Sequence, residues 1–238
     1  MPDELMPESK SIVTVQQLEE VALKSHAGRK PIANELYGDE RYHLRGYEKG
    51  LGVDVGKLVA GLREQFPHEV LLAADVNCVQ GLAAAELNLV EGVEAFGTGK
   101  RFMWSGKSGL PENRYILADA NELPSVIPEG SFHLLVSYRS FEVAEKVPLL
   151  IPGLRRILRP GGLAVFDLEN WFNQIPELRA LGLDDELTIV NKVTGQRTPM
   201  RRCPDSITGL VTEDDISTAW AKFTGDTTFA RFELRKPR

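Results

Sequence analysis

Glu69 to Gly81, reading EVLLAADVNCVQG, is the stretch that decides the fold. Val70, Leu71, Leu72, Ala73 and Ala74 make a short continuous apolar run, the pattern of a parallel strand covered on both faces. Asp75 ends the run where the chain should leave the sheet. From Gly81 onward Leu82, Ala83, Ala84, Ala85, Glu86 and Leu87 are mostly strong helix formers, so the unit reads strand, turn, helix. Turns of this kind lie at the edge where open α/β sheets bind ligands, because a helix N-terminus presents free N–H groups there.

Working outward, the segment from Tyr115 reads YILADANELPSVIPEGSFHLLVSYRSFEV, and the segment from Gly153 reads GLRRILRPGGLAVFDL. With the turn at Asp75 they resemble class I S-adenosylmethionine-dependent methyltransferases of the small-molecule type. The shared pieces are "DA-x-x-LP" at Asp119 to Pro124, "SF-x-LLVS" at Ser131 to Ser137 and "R-x-L-x-PGG" at Arg156 to Gly162. The resemblance covers about Glu69 to Asp167, with the parts in the expected order and spacing. It implies an α/β fold, a Rossmann-like three-layer α/β/α sandwich with a mostly parallel sheet and an N-terminal helical addition. It also implies S-adenosylmethionine as cofactor and a small molecule as substrate.

Laid on the family pattern, DVNCVQG stands where DVGCGTG is expected. Asp75 and Gly81 are kept, whereas Asn77 and Val79 replace glycines whose missing Cβ lets the backbone approach a ligand. Asn tolerates left-handed backbone, so Asn77 is expected to preserve the turn. Val79 is β-branched and poorly suited to positive φ. Similar enzymes place a carboxylate for the ribose hydroxyls at the end of the next strand, Val93 to Phe96. Here that position falls near Gly97 to Lys100, and no carboxylate occurs between Glu94 and Glu112. Lys100 adds an ammonium beside a cofactor that carries a sulfonium. Asp119 and Ala120 match the adenine contact; the plainer reading is that Asp119 ends a strand. The resemblance thus implies Asp75, Asn77, Gly81, Asp119, Ala120 and Ser137 as cofactor-binding residues, with affinity weakened or lost.

Composition sets the outer bounds. With 238 residues, 42% of them hydrophobic, the chain can bury one sizeable core. A net charge of -6 argues against a nucleic-acid footprint. Two cysteines, Cys78 and Cys203, are too few for a disulfide framework or a zinc site. The start MPDELMPESK has no apolar signal core and no run approaches membrane-spanning length, so a reduced, cytoplasmic protein without membrane contact is expected. No cluster of His, Cys and carboxylates suggests a metal. A protein partner or homo-oligomer stays open.

Residues 1–66 read as a helical lid or extension, and residues 67–238 as the Rossmann-like domain with a hairpin inserted at about 187–202. Val15, Leu18, Val21 and Ala22 fall at helical spacing within Ser11 to Lys24. Ser25 to Gly52 reads as irregular, and Val55 to Phe66 as a helix ended by Pro67. Arg101 to Ser108 reads as a loop. Pro160-Gly161-Gly162 is expected to turn the chain into a strand at Leu163 to Phe166. Gly195 supplies the hairpin turn, and Pro199 demotes the second arm to an edge. A helix is expected from Thr212 to about Phe223 and a last strand at Thr227 to Leu234. That leaves little chain for the family's antiparallel finish, so the edge is expected to be altered.

Candidate chemistry clusters in two groups. Tyr138, Arg139 and Glu142 follow the fourth strand: Arg139 would bind an anionic group and Glu142 would act as a base, while the plain alternative is a solvated loop with an ordinary ion pair. Tyr37, His43, Arg45 and Tyr47 form a polar-aromatic group that would cap the pocket, His43 and Tyr37 descending from the lid. His133, where the family carries Asp, reads as a structural histidine. Three functions stand at this point: a small-molecule methyltransferase with a modified turn, an enzyme on the same fold doing other chemistry such as elimination or cyclisation, and a non-catalytic partner subunit.

Overall fold

The computed structural model describes residues 12–28, 42–78, 80–100, 109–138, 147–168, 175–183, 185–192, 195–202 and 230–238. The strand expected at the outset forms as β1 (Leu71–Asp75), all five residues buried. Its register is fixed on both sides. β1 pairs in parallel with β2 (Val93–Gly99) and with β4 (Phe132–Ser137), while β3 (Tyr115–Leu117) adds outside β2 and β5 (Leu158–Phe166) outside β4. The strands expected at Tyr115, Phe132 and Leu163 are therefore all parallel to β1. β2 reaches Gly99, beyond the Phe96 end expected from sequence.

Alternation along these strands builds the two outer layers. Leu72, Ala74, Phe96, Ile116 and Phe132 face one apolar cluster, shared with Leu18 and Ala22 of α1 (Val15–Ser25), Leu123 of α5 (Leu123–Val126) and Leu150, Ile151 and Leu154 of α6 (Val147–Ile157). Leu71, Ala73, Val93, Leu134 and Val165 face the other. That second cluster takes Tyr47 and Leu51 of α2 (Leu44–Leu51), Val55, Val59 and Leu62 of α3 (Val55–Gln65) and Ala83, Ala84 and Leu87 of α4 (Leu82–Leu87). The result is a three-layer α/β/α sandwich. α1 also guards the β3 edge: Leu117 N–H donates to Ser25 Oγ at 2.8 Å, and His26 Nε2 lies 2.5 Å from Tyr115 O, which occupies polar groups an exposed edge would offer to another strand.

Three sequence expectations are corrected. Ser25 to Gly52 is not irregular throughout, because Leu44–Leu51 forms α2: Tyr47 and Leu51, four apart, bury on one face, and Gly52 closes the helix in left-handed geometry at φ 61. Pro160-Gly161-Gly162 does not precede a strand but lies inside β5, where the pairing shifts between Phe132↔Leu158 and Leu134↔Leu163. Gly161 takes φ 84, and a Cβ on Gly162 would stand 3.0 Å from Phe132 O, so glycine permits a bulge rather than a turn. The antiparallel finish is present: β8 (Ala230–Arg235) runs antiparallel between β5 and β6 (Leu187–Asn191), and β7 (Arg197–Pro199) closes the edge. The order is β3-β2-β1-β4-β5-β8-β6-β7. The hairpin turn at Gly195 has φ 73, and Pro199 sits on the edge strand, both as expected. The segment 101–108 and the helix expected from Thr212 lie outside the described residues.

Candidate functional site

Because β1 to β5 are parallel and β6 shares their direction through its antiparallel pairing with β8, the C-terminal ends of six strands meet one edge. Asn77 follows β1, Lys100 β2, Asp119 β3, Tyr138 β4, Asp167 β5 and Lys192 β6. This is the crevice edge of an open α/β sheet.

The turn after β1 is stapled to its neighbours. Val76 N–H donates to Val136 O at 2.8 Å, and the Ser137 hydroxyl donates to Val76 O at 3.0 Å. Asn77 N–H donates to the Thr98 hydroxyl oxygen at 3.0 Å, and the Tyr115 hydroxyl donates to Cys78 O at 3.1 Å. Asn77 adopts φ 58, the left-handed geometry expected of it, and is the one non-glycine described with positive φ. Gly81 stands at φ 73 immediately before α4, where a Cβ would meet Leu110 Cδ2 at 2.6 Å. The Asn replacement therefore keeps the turn that glycine would make. Val79 lies outside the described residues.

Asp75 is the electrostatic centre. It is 1% exposed, its Oδ1 accepts from the Tyr47 hydroxyl at 2.9 Å, and its Oδ2 has no partner among the described residues. Burial pushes its carboxyl up to about 8, against the lowering effect of the Tyr47 bond. The Tyr47 phenol is raised well above its ordinary value, first by burial and then by the charge of Asp75. Five residues on, Gln80 is 1% exposed and neither its Oε1 nor its Nε2 is bonded among the described residues. Three unbonded buried polar atoms in one turn are a concentration native interiors avoid unless a ligand or water completes them.

The outer part of the crevice differs from the family pattern. Lys100 Nζ lies 3.2 Å from Asp119 Oδ2, and Asp119 Oδ1 accepts from Asn121 N–H at 3.1 Å. Partial burial would raise the Asp119 carboxyl, but the Asn121 N–H and Lys100 together hold it below its ordinary value. Thr98, fully buried within the span where a ribose carboxylate was sought, carries a hydroxyl that serves the turn. Ala120 is buried beside Asp119.

Of the candidate catalytic residues, Tyr138 and His43 are described, whereas Tyr37, Arg139 and Glu142 lie outside the described residues. Tyr138 meets Tyr47 edge to face at 5.6 Å between ring centroids, and a Cβ on Gly50 would run into its ring. His43 precedes α2 and its Nδ1 is 2.7 Å from Glu86 Oε1, while Leu44 N–H donates to Glu86 Oε2 at 2.5 Å. Of the group expected to cap the pocket, Tyr47 touches Asp75, whereas His43 is tied to Glu86. The spacing of Tyr47 and Leu51 was the available signal. Nothing in the sequence marked Thr98, Gln80 or Lys192. His133 is structural, as expected: it is fully buried at the opposite end of β4, Nδ1 accepts from Leu72 N–H at 2.9 Å, and Nε2 lies 3.3 Å from Glu69 Oε2. Burial, and then the nearby Arg159 charge, lower its pKa.

Residues 74–166 match the family model described as a methyltransferase domain. The match covers the central segment, from the end of β1 through β5. No curated protein matches the chain. Among solved structures, a Haemonchus contortus phosphoethanolamine N-methyltransferase 2 shares 14% identity, with 82% of this chain and 57% of that one covered, at a TM-score of 0.45. The chain thus spans little more than half of that protein. An Archaeoglobus fulgidus S-adenosylmethionine-dependent methyltransferase shares 15% identity over 81% of this chain and 99% of that one, at a TM-score of 0.43. A Corynebacterium glutamicum TehB-like methyltransferase shares 17% over 82% and 94%, at 0.45. Likenesses this distant say nothing of activity. Among the described residues no cluster of His, Cys, Asp and Glu would hold a metal, and no helix is long and apolar enough to cross a membrane.

Proposed function

We propose that this chain is an S-adenosylmethionine-dependent methyltransferase for a small molecule, with a weakened cofactor site. The observation that carries the reading is the second carboxyl oxygen of Asp75, buried without a partner at the end of the central strand and inside the segment matching the methyltransferase domain. A cationic amine is the group that such an oxygen lacks, and ionising Asp75 beside it would offset the burial that now holds the carboxyl protonated. The residues present fit the cofactor: Asp75 would take its amino group, Asn77 and Gly81 shape the turn around it, Ser137 holds that turn to β4, and Asp119 with the Ala120 N–H would take the adenine. When bound, the cofactor supplies an electrophilic methyl group. The chain's own contribution is positioning, with Tyr47 orienting Asp75 and α2 covering the crevice over Tyr138. His43, tied to Glu86, would set the start of that cover.

The Lys100–Asp119 pair favours a second reading, in which the fold performs other chemistry or supports a partner subunit, because the adenine carboxylate is already engaged and the ribose carboxylate is missing. Calorimetric titration with S-adenosylmethionine and S-adenosylhomocysteine separates the two. The methyltransferase reading expects dissociation constants above about 1 μM and a roughly ten- to hundredfold loss in Asp75→Asn, the range of a charge-assisted hydrogen bond. No binding of either compound at millimolar concentration would leave the second reading standing.

A further inference from the structure

The seam between β1 and β4, the strands that lead to Asn77 and Tyr138, is closed differently at its two ends. Its paired residues run from Ala73↔Leu134 to Asp75↔Val136. Above them the Val76 N–H donates to a backbone carbonyl, Val136 O, at 2.8 Å. Below them the Leu72 N–H donates to a side chain, His133 Nδ1, at 2.9 Å. β4 is irregular at that level. Phe132 and Leu134, two apart, face opposite apolar clusters, and the pairing with β5 shifts between them. His133 stands at this bulge, which re-aims its side chain onto the β1 backbone. The imidazole thus extends the seam by one hydrogen bond.

A lone pair on Nδ1 accepts the Leu72 N–H, so the ring is neutral and carries its proton on Nε2. Nε2 lies 3.3 Å from Glu69 Oε2, an oxygen that Arg159 Nη1 also holds at 2.6 Å, and Arg159 Nη1 stands 3.2 Å from Nε2. Glu69 faces the ring from the segment before β1 and Arg159 from β5. Phe66, at the end of α3, meets the ring edge to face at 4.6 Å between centroids. Behind Phe66 lies the Arg238 guanidinium, 5.9 Å from that ring's centroid. Lys236, paired with Glu129 at 3.7 Å, reaches the bulge through its N–H on Gly162 O. A second proton on the imidazole must go to Nδ1. There it sets one N–H against another across 2.9 Å, so the imidazolium and the closed seam exclude each other. Burial and the Arg159 charge oppose the imidazolium further and outweigh Glu69.

We propose that His133 is an acid-sensitive lock on the β1–β4 seam, closed by the neutral imidazole and opened by one proton on Nδ1. The folded ring takes up a proton less readily than a free histidine. The lock therefore contributes fully above pH of about 6.5, and its contribution is lost as pH falls below that value, by about tenfold in the opening constant for each pH unit until the folded ring itself titrates. Opening frees the base of the two strands whose other ends carry the turn after Asp75 and Ser137. The lock is independent of what the crevice binds.

The test uses the full chain and needs no ligand. Long-range proton–nitrogen NMR at neutral pH should find the His133 proton on Nε2; a proton on Nδ1 overturns the proposal. Amide hydrogen exchange, corrected for the intrinsic rate at each pH, should show Leu72 protection falling by about tenfold between pH 7 and 5. The control is the Ala95 N–H in β2, which donates at 2.7 Å to the non-titrating side chain of Asn88 and should not lose protection. Asp75 cannot imitate the loss, because its contribution to stability grows as pH falls over this range. His133→Asn keeps an acceptor for the Leu72 N–H without a titrating ring, and should remove most of the pH dependence at Leu72. Leu72 protection that stays level, that falls in step with Ala95, or that falls equally in His133→Asn would each overturn the proposal. If the variant does not fold, the proton position and the exchange of the native chain decide alone.

Discussion

Two buried polar centres sit at opposite ends of the same strands, and they are built differently. At the N-terminal ends, His133, Glu69 and Arg159 close on one another: His133 Nδ1 takes the Leu72 N–H, and Glu69 Oε2 lies 2.6 Å from Arg159 Nη1. At the C-terminal ends, Asp75 keeps one carboxyl oxygen on Tyr47 and leaves the other bare, and Gln80 bonds through neither side-chain atom. The first arrangement is what folding alone requires of buried polar groups. The second leaves an open cost of about 1–3 kcal/mol for each unbonded group, which a ligand can offset.

The largest expected effect comes from titrating the incomplete centre. The Asp75 carboxyl ionises near pH 8 when folded and near 4 when unfolded, so its contribution to stability is complete at low pH, declines as pH rises from about 4 and is lost by about 8. Asp75→Asn cannot ionise. Relative to the native chain, the variant should gain roughly 5 kcal/mol of stability between pH 4 and 9, measured by urea unfolding across that range. A difference independent of pH would show that Asp75 is ionised in the folded chain and would erase the contrast between the two centres.

Breaking the complete centre should act on stability alone. His133→Leu strands the Leu72 N–H and should cost about 2–3 kcal/mol by urea unfolding at pH 8, with nucleoside affinity unchanged. A matching drop in affinity would mean that the two ends of the strands are coupled.

Smaller effects sharpen the account of the turn. Asn77→Ala, placing a Cβ without a polar side chain at φ 58, should cost about 1–2 kcal/mol, whereas Asn77→Gly should stay within about 0.5 kcal/mol. Equal losses from both would assign the role of Asn77 to its side chain rather than its backbone. The smallest stability change belongs to Lys100→Ala. The lysine side chain is 74% exposed, so the variant should remain within about 0.5 kcal/mol of the native chain, yet it should bind S-adenosylmethionine a few-fold more tightly once Asp119 is released. Unchanged affinity would remove Asp119 from the cofactor site.

Much of this protein is legible from local sequence. The apolar run at Val70 to Ala74 and its counterparts at Phe132 and Leu163 define a parallel sheet because a strand buried on both faces leaves no polar alternation to confuse it. Asn77 could be assigned its left-handed turn because that preference belongs to the residue itself. α2 was missed because only Tyr47 and Leu51 bury, too sparse a stripe for periodicity to register among Gly46, Gly50 and charged neighbours. The RPGG segment was misplaced because glycine permits a bulge and a turn equally, and only pairing with β4 decides between them. The same limit governs the site. Asp75 was marked by its place at a strand end, but that Tyr47 would hold one of its oxygens, that Thr98 would serve the turn and that Lys192 would lie beneath Gly52 depend on segments 21 to 140 residues apart in the chain. Period and propensity act over a few residues, so sequence determined the strands and their turns; burial, charge balance and unbonded atoms arise only when distant segments meet, so tertiary structure alone decided what those turns face.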